Sequence, residues 1–157
     1  MSIAFKDFKI LKFGGTSVGS VERMQNLAKL ITVDESKKIV VLSAMSGTTN
    51  ALVKISEYLY AGKNKEAESD INALYQKYID VCENLLKDEY KDKGKTFVNS
   101  VFDIIRHFRN EAFTFTSKEE KIILAQGEIL STNLFHLYLQ QIGIKKYSIK
   151  CLGFCSH

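Results

Sequence analysis

The amino-acid sequence predicts an α/β fold, specifically a fragment of a three-layer α/β/α sandwich with a mainly parallel sheet. Two short apolar runs near the amino terminus are each followed by a loop of small residues and then by apolar residues at helical spacing. This order of strand, loop and helix, repeated in succession, is typical of a parallel sheet. Longer helical patterns later in the chain would cover the faces of that sheet.

The first unit runs from the strand-like FKILKF, residues 8–13, through a glycine loop into a helical pattern that ends near residue 31. Ser20 stands ahead of this helix, where an N-cap is expected. The second unit begins with KIVVLSA, residues 38–44, whose consecutive apolar residues are typical of a strand covered on both faces. Helical spacing returns after it, with Thr48 or Thr49 as the candidate N-cap.

Two further helices are predicted in the middle of the chain. One apolar helical stripe extends from Asn64 to Leu86. Another occupies TFVNSVFDIIRHF, residues 96–108, after a turn that we expect at Gly94. The two stripes predict a pair of packed helices.

The last predicted helix begins with a capping box formed by Ser117 and Glu120 and stops at Gly143. Gly127 lies inside this pattern. A glycine within a helix costs about 1 kcal/mol relative to alanine. We therefore expect at Gly127 either a break between two helices or the close approach of a ligand.

Composition indicates one globular domain of 157 residues, with 45% hydrophobic and 25% charged residues. The net charge of +4 is spread evenly along the chain, which argues against a nucleic-acid partner and favours a small anionic ligand. We expect a cytoplasmic protein without a membrane partner, since no stretch approaches the roughly 18 apolar residues of a membrane span and no signal peptide is recognisable.

The three cysteines are an odd number without the spacing of a disulfide framework, so we expect reduced thiols. The carboxyl-terminal CLGFCSH contains Cys151, Cys155 and His157. Three soft ligands with no fourth nearby make a poor structural zinc site. No metal site is predicted.

The glycine loop, Gly14 to Ser17, offers backbone amides ahead of a helix amino terminus, where anions are favoured. A plain tight turn is the alternative interpretation. A P-loop is disfavoured, because Ser20 and Val21 stand where that motif has a lysine and a hydroxyl residue, and the dinucleotide fingerprint is absent. Lys12 is expected to be the only basic residue beside the loop, placed to reach bound phosphates.

The second strand ends in SAMSGTTN, residues 43–50, which is rich in hydroxyl groups. Because the carboxyl ends of parallel strands meet at one edge of a sheet, we expect this loop to lie beside the glycine loop. Hydroxyls and amides suit a small polar substrate, whereas a turn that caps its own helix is the structural alternative.

Three stretches in order, KFGGTSV, VVLSAMSGTTNAL and GEILST, resemble the amino-terminal part of the aspartate kinases, within the amino-acid kinase superfamily. The resemblance extends over residues 8–144 and implies the amino-acid kinase (carbamate kinase-like) fold. It also implies transfer of the γ-phosphoryl group of ATP, supplied with Mg²⁺, to the side-chain carboxylate of L-aspartate. That reaction yields 4-phospho-L-aspartate on the way to lysine, threonine and methionine. We also expect a homo-oligomer, because without the second half of the domain the sheet would keep an unpaired edge and an apolar face.

The resemblance also assigns roles to individual residues. Lys12 takes the role of the catalytic cation. The residues implied in binding the ATP phosphates are Lys12, Phe13, Gly14, Gly15 and Ser17. The residues implied in binding aspartate are the hydroxyl-bearing Ser43 and Thr49, and Glu128 opposite the amino group of the substrate.

Aspartate kinases are much longer than this chain. Residues 1–157 correspond to the amino-terminal, aspartate-binding part, without the nucleotide half and the regulatory ACT domains, so we expect no activity from the chain alone. The alternative is a non-catalytic module that binds aspartate or phosphate, or that docks onto a complete kinase subunit. Residues from about Lys146 onward lack the expected apolar strand, and a single-nucleotide frameshift is our hypothesis for this tail.

Overall fold

The computed structural model of the protein describes residues 8–110 and 114–144. Most of these residues are helical, and a small sheet lies at the amino-terminal end of the sequence. The elements are β1 (Phe8–Phe13), α1 (Val21–Ile31), β2 (Lys37–Leu42), α2 (Thr48–Tyr60), α3 (Asn64–Leu85), α4 (Asp88–His107) and α5 (Ser117–Gln141).

The strands β1 and β2 pair in parallel, with Phe8 opposite Lys37 at one end and Phe13 opposite Leu42 at the other. The predicted parallel pairing of the two opening units is therefore confirmed. In the described ranges the sheet consists of these two strands.

One face of the sheet packs against the hydrophobic core through Leu11, Phe13 and Leu42. On the opposite face, Ile10 is 71% exposed and its neighbour Ile39 is 38% exposed. Since the described helices cover one face only, the three-layer sandwich is not confirmed. The expectation that the second strand is covered on both faces is likewise not met in the described part of the chain.

The core continues from the sheet into the helices α1 to α5, each of which contributes buried apolar side chains to one cluster. The apolar stripe predicted for α3 is confirmed, since most of its members are buried. These buried residues are Ile71, Leu74, Tyr78, Val81, Cys82 and Leu85. Cys82 is a free thiol, as expected, whereas Cys151, Cys155 and His157 lie outside the described residues.

Two predicted helix boundaries are confirmed. The Ser20 side chain caps α1 by accepting a hydrogen bond from the Arg23 backbone N–H at 3.2 Å. Gly143 follows α5 with φ of +85°, a left-handed conformation in which glycine is favoured.

The capping box of α5 is displaced by one residue from its prediction. Thr116 is the N-cap and pairs reciprocally with Glu119, so the predicted pair of Ser117 and Glu120 is wrong. The backbone explains the shift, because Thr116 is extended while Ser117 is already the first helical residue.

Both helix-interior glycines lie at close helix contacts. Gly94 is inside α4 rather than in a turn, and a Cβ there would lie 2.5 Å from Leu86 Cδ1 and 3.2 Å from Cys82 Sγ. The helix α5 continues through Gly127 without a break, and a Cβ there would lie 2.8 Å from Ala44 Cβ. The predictions of a turn at Gly94 and of a helix break at Gly127 are therefore wrong. The close neighbour of Gly127 is the protein's own chain.

Candidate functional site

The glycine loop and the loop that follows β2 lie side by side at the carboxyl ends of the two strands. The Ser43 backbone N–H donates to the Phe13 carbonyl at 3.0 Å, which extends the strand pairing by one step. The Ser46 hydroxyl donates to the Gly15 carbonyl at 3.0 Å. The two loops thus form one continuous surface, as the parallel strand order predicts.

The glycines of the first loop differ in what surrounds them. A Cβ on Gly15 would lie 2.7 Å from the Ala44 carbonyl oxygen, and one on Gly19 would lie 2.6 Å from Ser46 Oγ. These two glycines allow the second loop to pack directly against the first. At Gly14, by contrast, a Cβ would meet no atom within 4 Å. Gly14 therefore faces open space.

Lys12 and Arg23 are cations beside the glycine loop. Lys12 is exposed near the end of β1. Arg23 reaches back from the first turn of α1, and its Nη1 donates to the Thr16 carbonyl at 2.6 Å. The expectation that Lys12 is the only basic residue beside the glycine loop is therefore wrong. The sequence signal for Arg23 is its place in the first turn of the helix that follows the loop, where a long side chain can fold back.

Helix α5 packs against the second loop through its central turns. The Ser131 hydroxyl donates to the Ser43 carbonyl at 2.8 Å, and Gly127 faces Ala44. Glu128 lies between these two contact residues in sequence and is exposed. The third sequence motif is therefore adjacent to the second.

Helix α2 begins at the end of the same loop, with Gly47 as its N-cap in a left-handed conformation, φ +78°. No side chain caps this helix, so the predicted capping role of Thr48 or Thr49 is wrong. Thr49 is exposed beside the loop. Thr48 is fully buried, and its hydroxyl forms a hydrogen bond of 2.7 Å with the hydroxyl of Tyr78 in α3.

Two residues of α3 belong to this site although sequence reasoning missed them. Burial raises the pKa of Tyr78 to about 12, with a smaller contribution from the charge of Glu128, so this phenol is protonated at neutral pH. The Lys77 ammonium donates to the Ser46 carbonyl at 2.7 Å, and burial lowers its pKa. Both side chains come from a helical segment whose apolar stripe gives no sign of a functional role.

A metal site requires grouped ligand side chains, and a membrane-spanning helix requires length and apolar character. Among the described residues, no three His, Cys, Asp or Glu side chains are grouped as metal ligands would be. Over the same residues, no helix combines the length and apolar character needed to cross a bilayer.

The sequence model described as "Amino acid kinase family" matches residues 7–156, and the chain belongs to this family. Its similar proteins are aspartokinases, which confirms the resemblance. Aspartokinase 1, chloroplastic, of Arabidopsis thaliana is 31% identical over 150 residues, covering 92% of this chain and 26% of the relative. Lysine-sensitive aspartokinase 3 of Escherichia coli is 30% identical over 137 residues, covering 87% of this chain and 29% of the relative.

Solved structures give the same result for the fold. Escherichia coli aspartokinase III in complex with aspartate and ADP matches with a TM-score of 0.69 at 24% identity, covering 89% of this chain and 30% of that chain. The same enzyme in complex with lysine and aspartate matches with a TM-score of 0.68, covering 87% of this chain and 29% of that chain. The chain thus spans 26–30% of the length of these four relatives and structures.

Proposed function

We propose that this chain forms the aspartate-binding part of an aspartate kinase catalytic domain, in which ATP phosphorylates the side-chain carboxylate of L-aspartate. The observation that carries the proposal is the direct packing of the three sequence motifs around the carboxyl ends of β1 and β2. The glycine loop contacts the second loop through Ser46, and the second loop contacts α5 through Ser131. A small substrate held by one loop would therefore lie next to phosphates held by the other.

On the aspartate side, the chain offers groups that match a zwitterionic amino acid. Ser43 and Thr49 supply hydroxyls, and the exposed carboxylate of Glu128 is suited to an ammonium group. The substrate β-carboxylate has a reference pKa of about 3.9 and is ionised at neutral pH. The reaction therefore needs no general base, and positioning and charge neutralisation are the main tasks.

On the phosphate side, the exposed Lys12 near the end of β1 and the open space at Gly14 are two residues apart in sequence. Lys12 would neutralise the negative charge that two anions bring together, while Phe13, Gly14, Gly15 and Ser17 would contribute backbone or hydroxyl contacts. One preorganised donor in an oxyanion site lowers a barrier by about 3 kcal/mol. ATP would arrive with Mg²⁺ as a substrate complex.

We further propose that the 157-residue chain binds aspartate but does not form aspartyl phosphate by itself, because it spans only about a quarter of its relatives. A hydroxamate assay on the purified chain should detect no acyl phosphate. The exposed sheet face at Ile10 and Ile39 favours self-association. Light scattering that shows a clean monomer at high protein concentration would contradict the homo-oligomer.

The aspartate site can be tested by NMR titration of the chain with L-aspartate. Binding should shift the backbone amide signals around Ser43, Thr49 and Glu128. Succinate, which lacks the amino group, should bind more weakly, and Glu128→Gln should remove this preference. Glu57→Gln, at another exposed helical glutamate, is the matched control and should leave the preference intact. Absence of amide shifts at these positions in the wild-type chain would refute the proposal.

The phosphate side can be tested with inorganic tripolyphosphate as the probe. Gly14→Ala places a methyl group in open space, so the variant should fold normally and yet lose the tripolyphosphate-induced shifts of the glycine loop. Gly15→Ala should instead lower the free energy of unfolding, because its methyl group would meet the Ala44 backbone oxygen. Unchanged tripolyphosphate binding by Gly14→Ala would place the phosphates elsewhere.

A further inference from the structure

Two consecutive residues of α3, Lys77 and Tyr78, form hydrogen bonds to the second loop and to the start of α2. The Lys77 ammonium donates to the Ser46 carbonyl at 2.7 Å, and the Tyr78 hydroxyl bonds to the Thr48 hydroxyl at 2.7 Å. Lys77 thus holds the loop through the backbone of Ser46, and Tyr78 holds the first residue of α2 through the buried side chain of Thr48. Neither Lys77 nor Tyr78 belongs to any of the three sequence motifs.

Ser46 links this support to the glycine loop. Its carbonyl accepts from Lys77, while its hydroxyl donates to the Gly15 carbonyl at 3.0 Å. Its side chain also fills the space beside Gly19, where a Cβ would come within 2.6 Å of Ser46 Oγ. A hydrogen-bonded path therefore runs from Lys77 through Ser46 to Gly15.

The environment of Lys77 argues for a specific role. The side chain is half-buried, and a buried ammonium is costly unless hydrogen bonds compensate for lost hydration. The Ser46 carbonyl supplies such a bond. A lysine that served only to keep the surface of α3 hydrated would extend into solvent, as the exposed Lys65 of the same helix does.

We propose that Lys77 and Tyr78 are positioning residues, which hold the second loop and, through Ser46, the glycine loop in the arrangement that receives ligands. Helix α3 then supports the site and also contributes to the core. This inference rests on the proposed function only for the identity of the ligand. The positions of the loops can be measured without any ligand.

The experiment is amide hydrogen exchange on the 157-residue chain, comparing the wild type with Lys77→Met, Lys77→Arg and Lys65→Met. The reporters are the Ser43 amide, bonded to Phe13, and the Thr48 amide, bonded to the Met45 carbonyl. Lys77→Met keeps the apolar stem but removes the donor, so exchange at both reporters should rise about tenfold, the factor expected for one charged hydrogen bond at a partly exposed position. Amides in the middle of α5 should keep their wild-type rates.

Lys77→Arg keeps a donor and should restore slow exchange, whereas Lys65→Met should have no effect. Wild-type exchange in Lys77→Met, or equal acceleration in Lys65→Met, would overturn the positioning role. Acceleration that also includes the middle of α5 would show a general loss of stability and would overturn it as well.

A titration with L-aspartate adds a second readout. Lys77→Met should weaken binding by about the same factor as it accelerates exchange, since the ligand must then order the loop. If the wild-type chain does not bind aspartate, the proposed function fails while the exchange data still decide the role of Lys77. Unchanged aspartate affinity together with faster exchange would show that the loop order does not serve this ligand, and would refute the proposal in its functional part.

Discussion

Replacement of Gly127 by alanine should destabilise the protein, although alanine is the better helix former. The new Cβ would lie 2.8 Å from Ala44 Cβ, 3.4 Å from Thr48 Cγ2 and 3.5 Å from Leu52 Cδ1. Alanine gains about 1 kcal/mol in helix propensity, and overpacking a core costs about 1–3 kcal/mol. Because the Ala44 methyl group is attached directly to the backbone, it cannot rotate away, and the cost should fall in the upper part of that range.

The expected net effect of Gly127→Ala is a loss of about 1–2 kcal/mol in the free energy of unfolding, or about 2–8 °C in Tm for a domain of this size. Urea unfolding followed by circular dichroism would measure it. Gly94→Ala is the matched control, because its closest neighbour is the end of the Leu86 side chain, and it should be closer to neutral. The double variant Gly127→Ala with Ala44→Gly should lose less free energy of unfolding than the sum of the two single variants, because Ala44→Gly removes the methyl group that the new Cβ would meet. A Gly127→Ala variant that is more stable than the wild type would refute the reasoning.

The remaining predictions concern buried or paired polar groups. Thr48→Val and Tyr78→Phe should each lower the free energy of unfolding by about 1–3 kcal/mol, because each leaves one buried hydroxyl without its partner. The double variant removes both hydroxyls and should lose less than the sum of the two single variants. Additive effects in urea unfolding would contradict this. Burial raises the pKa of the Cys82 thiol to about 11, so mass spectrometry should show slow alkylation of Cys82 at neutral pH and fast alkylation in urea. Hydrogen bonds from Lys91 and Lys95 of α4 lower the pKa of Glu83 from 4.5 to about 2. Its contribution to stability should be present above pH 4.5 and lost as the pH falls toward 2, and Glu83→Gln should lack this component.

The sequence was most informative where the structure depends on neighbouring residues. Ser20 follows the glycine loop and precedes an apolar helical stripe, and it caps α1 as predicted. The start of α5 shows the limit of such reasoning. The residues TSKEE contain two overlapping capping boxes, and the choice of Thr116 over Ser117 depends on where the preceding chain leaves the extended conformation. Local pattern alone does not contain that information.

Gly94 and Gly127 could not be interpreted correctly because their neighbours are distant in sequence or on another helix. A glycine inside a helical pattern predicts a turn, a break or a close approach, and periodicity alone does not choose between them. The contact of Gly127 with Ala44 joins α5 to the loop after β2, and only the packed structure shows it.

Some residues of the candidate site could be predicted from local sequence, and others could not. Lys12, Gly14, Ser43 and Thr49 stand at the ends of predicted strands, where the topology of a parallel sheet brings loops together. Lys77 stands in a helix whose lysines look alike in the sequence. Its role depends on a hydrogen bond to a residue 31 positions away.

The hydrogen bond between Ser131 and Ser43 has a consequence for synthesis of the protein. These residues are 88 positions apart, and the chain between them contains all of α2, α3 and α4. At about 5–20 residues per second, roughly 4–18 s separate their emergence from the peptidyl-transferase centre. During this interval the two loops at the strand ends exist without the helix that completes the site. Polar contacts among the earlier segments, such as the hydrogen bond between Thr48 of α2 and Tyr78 of α3, can form during this interval. The contact between the second loop and α5 must form last.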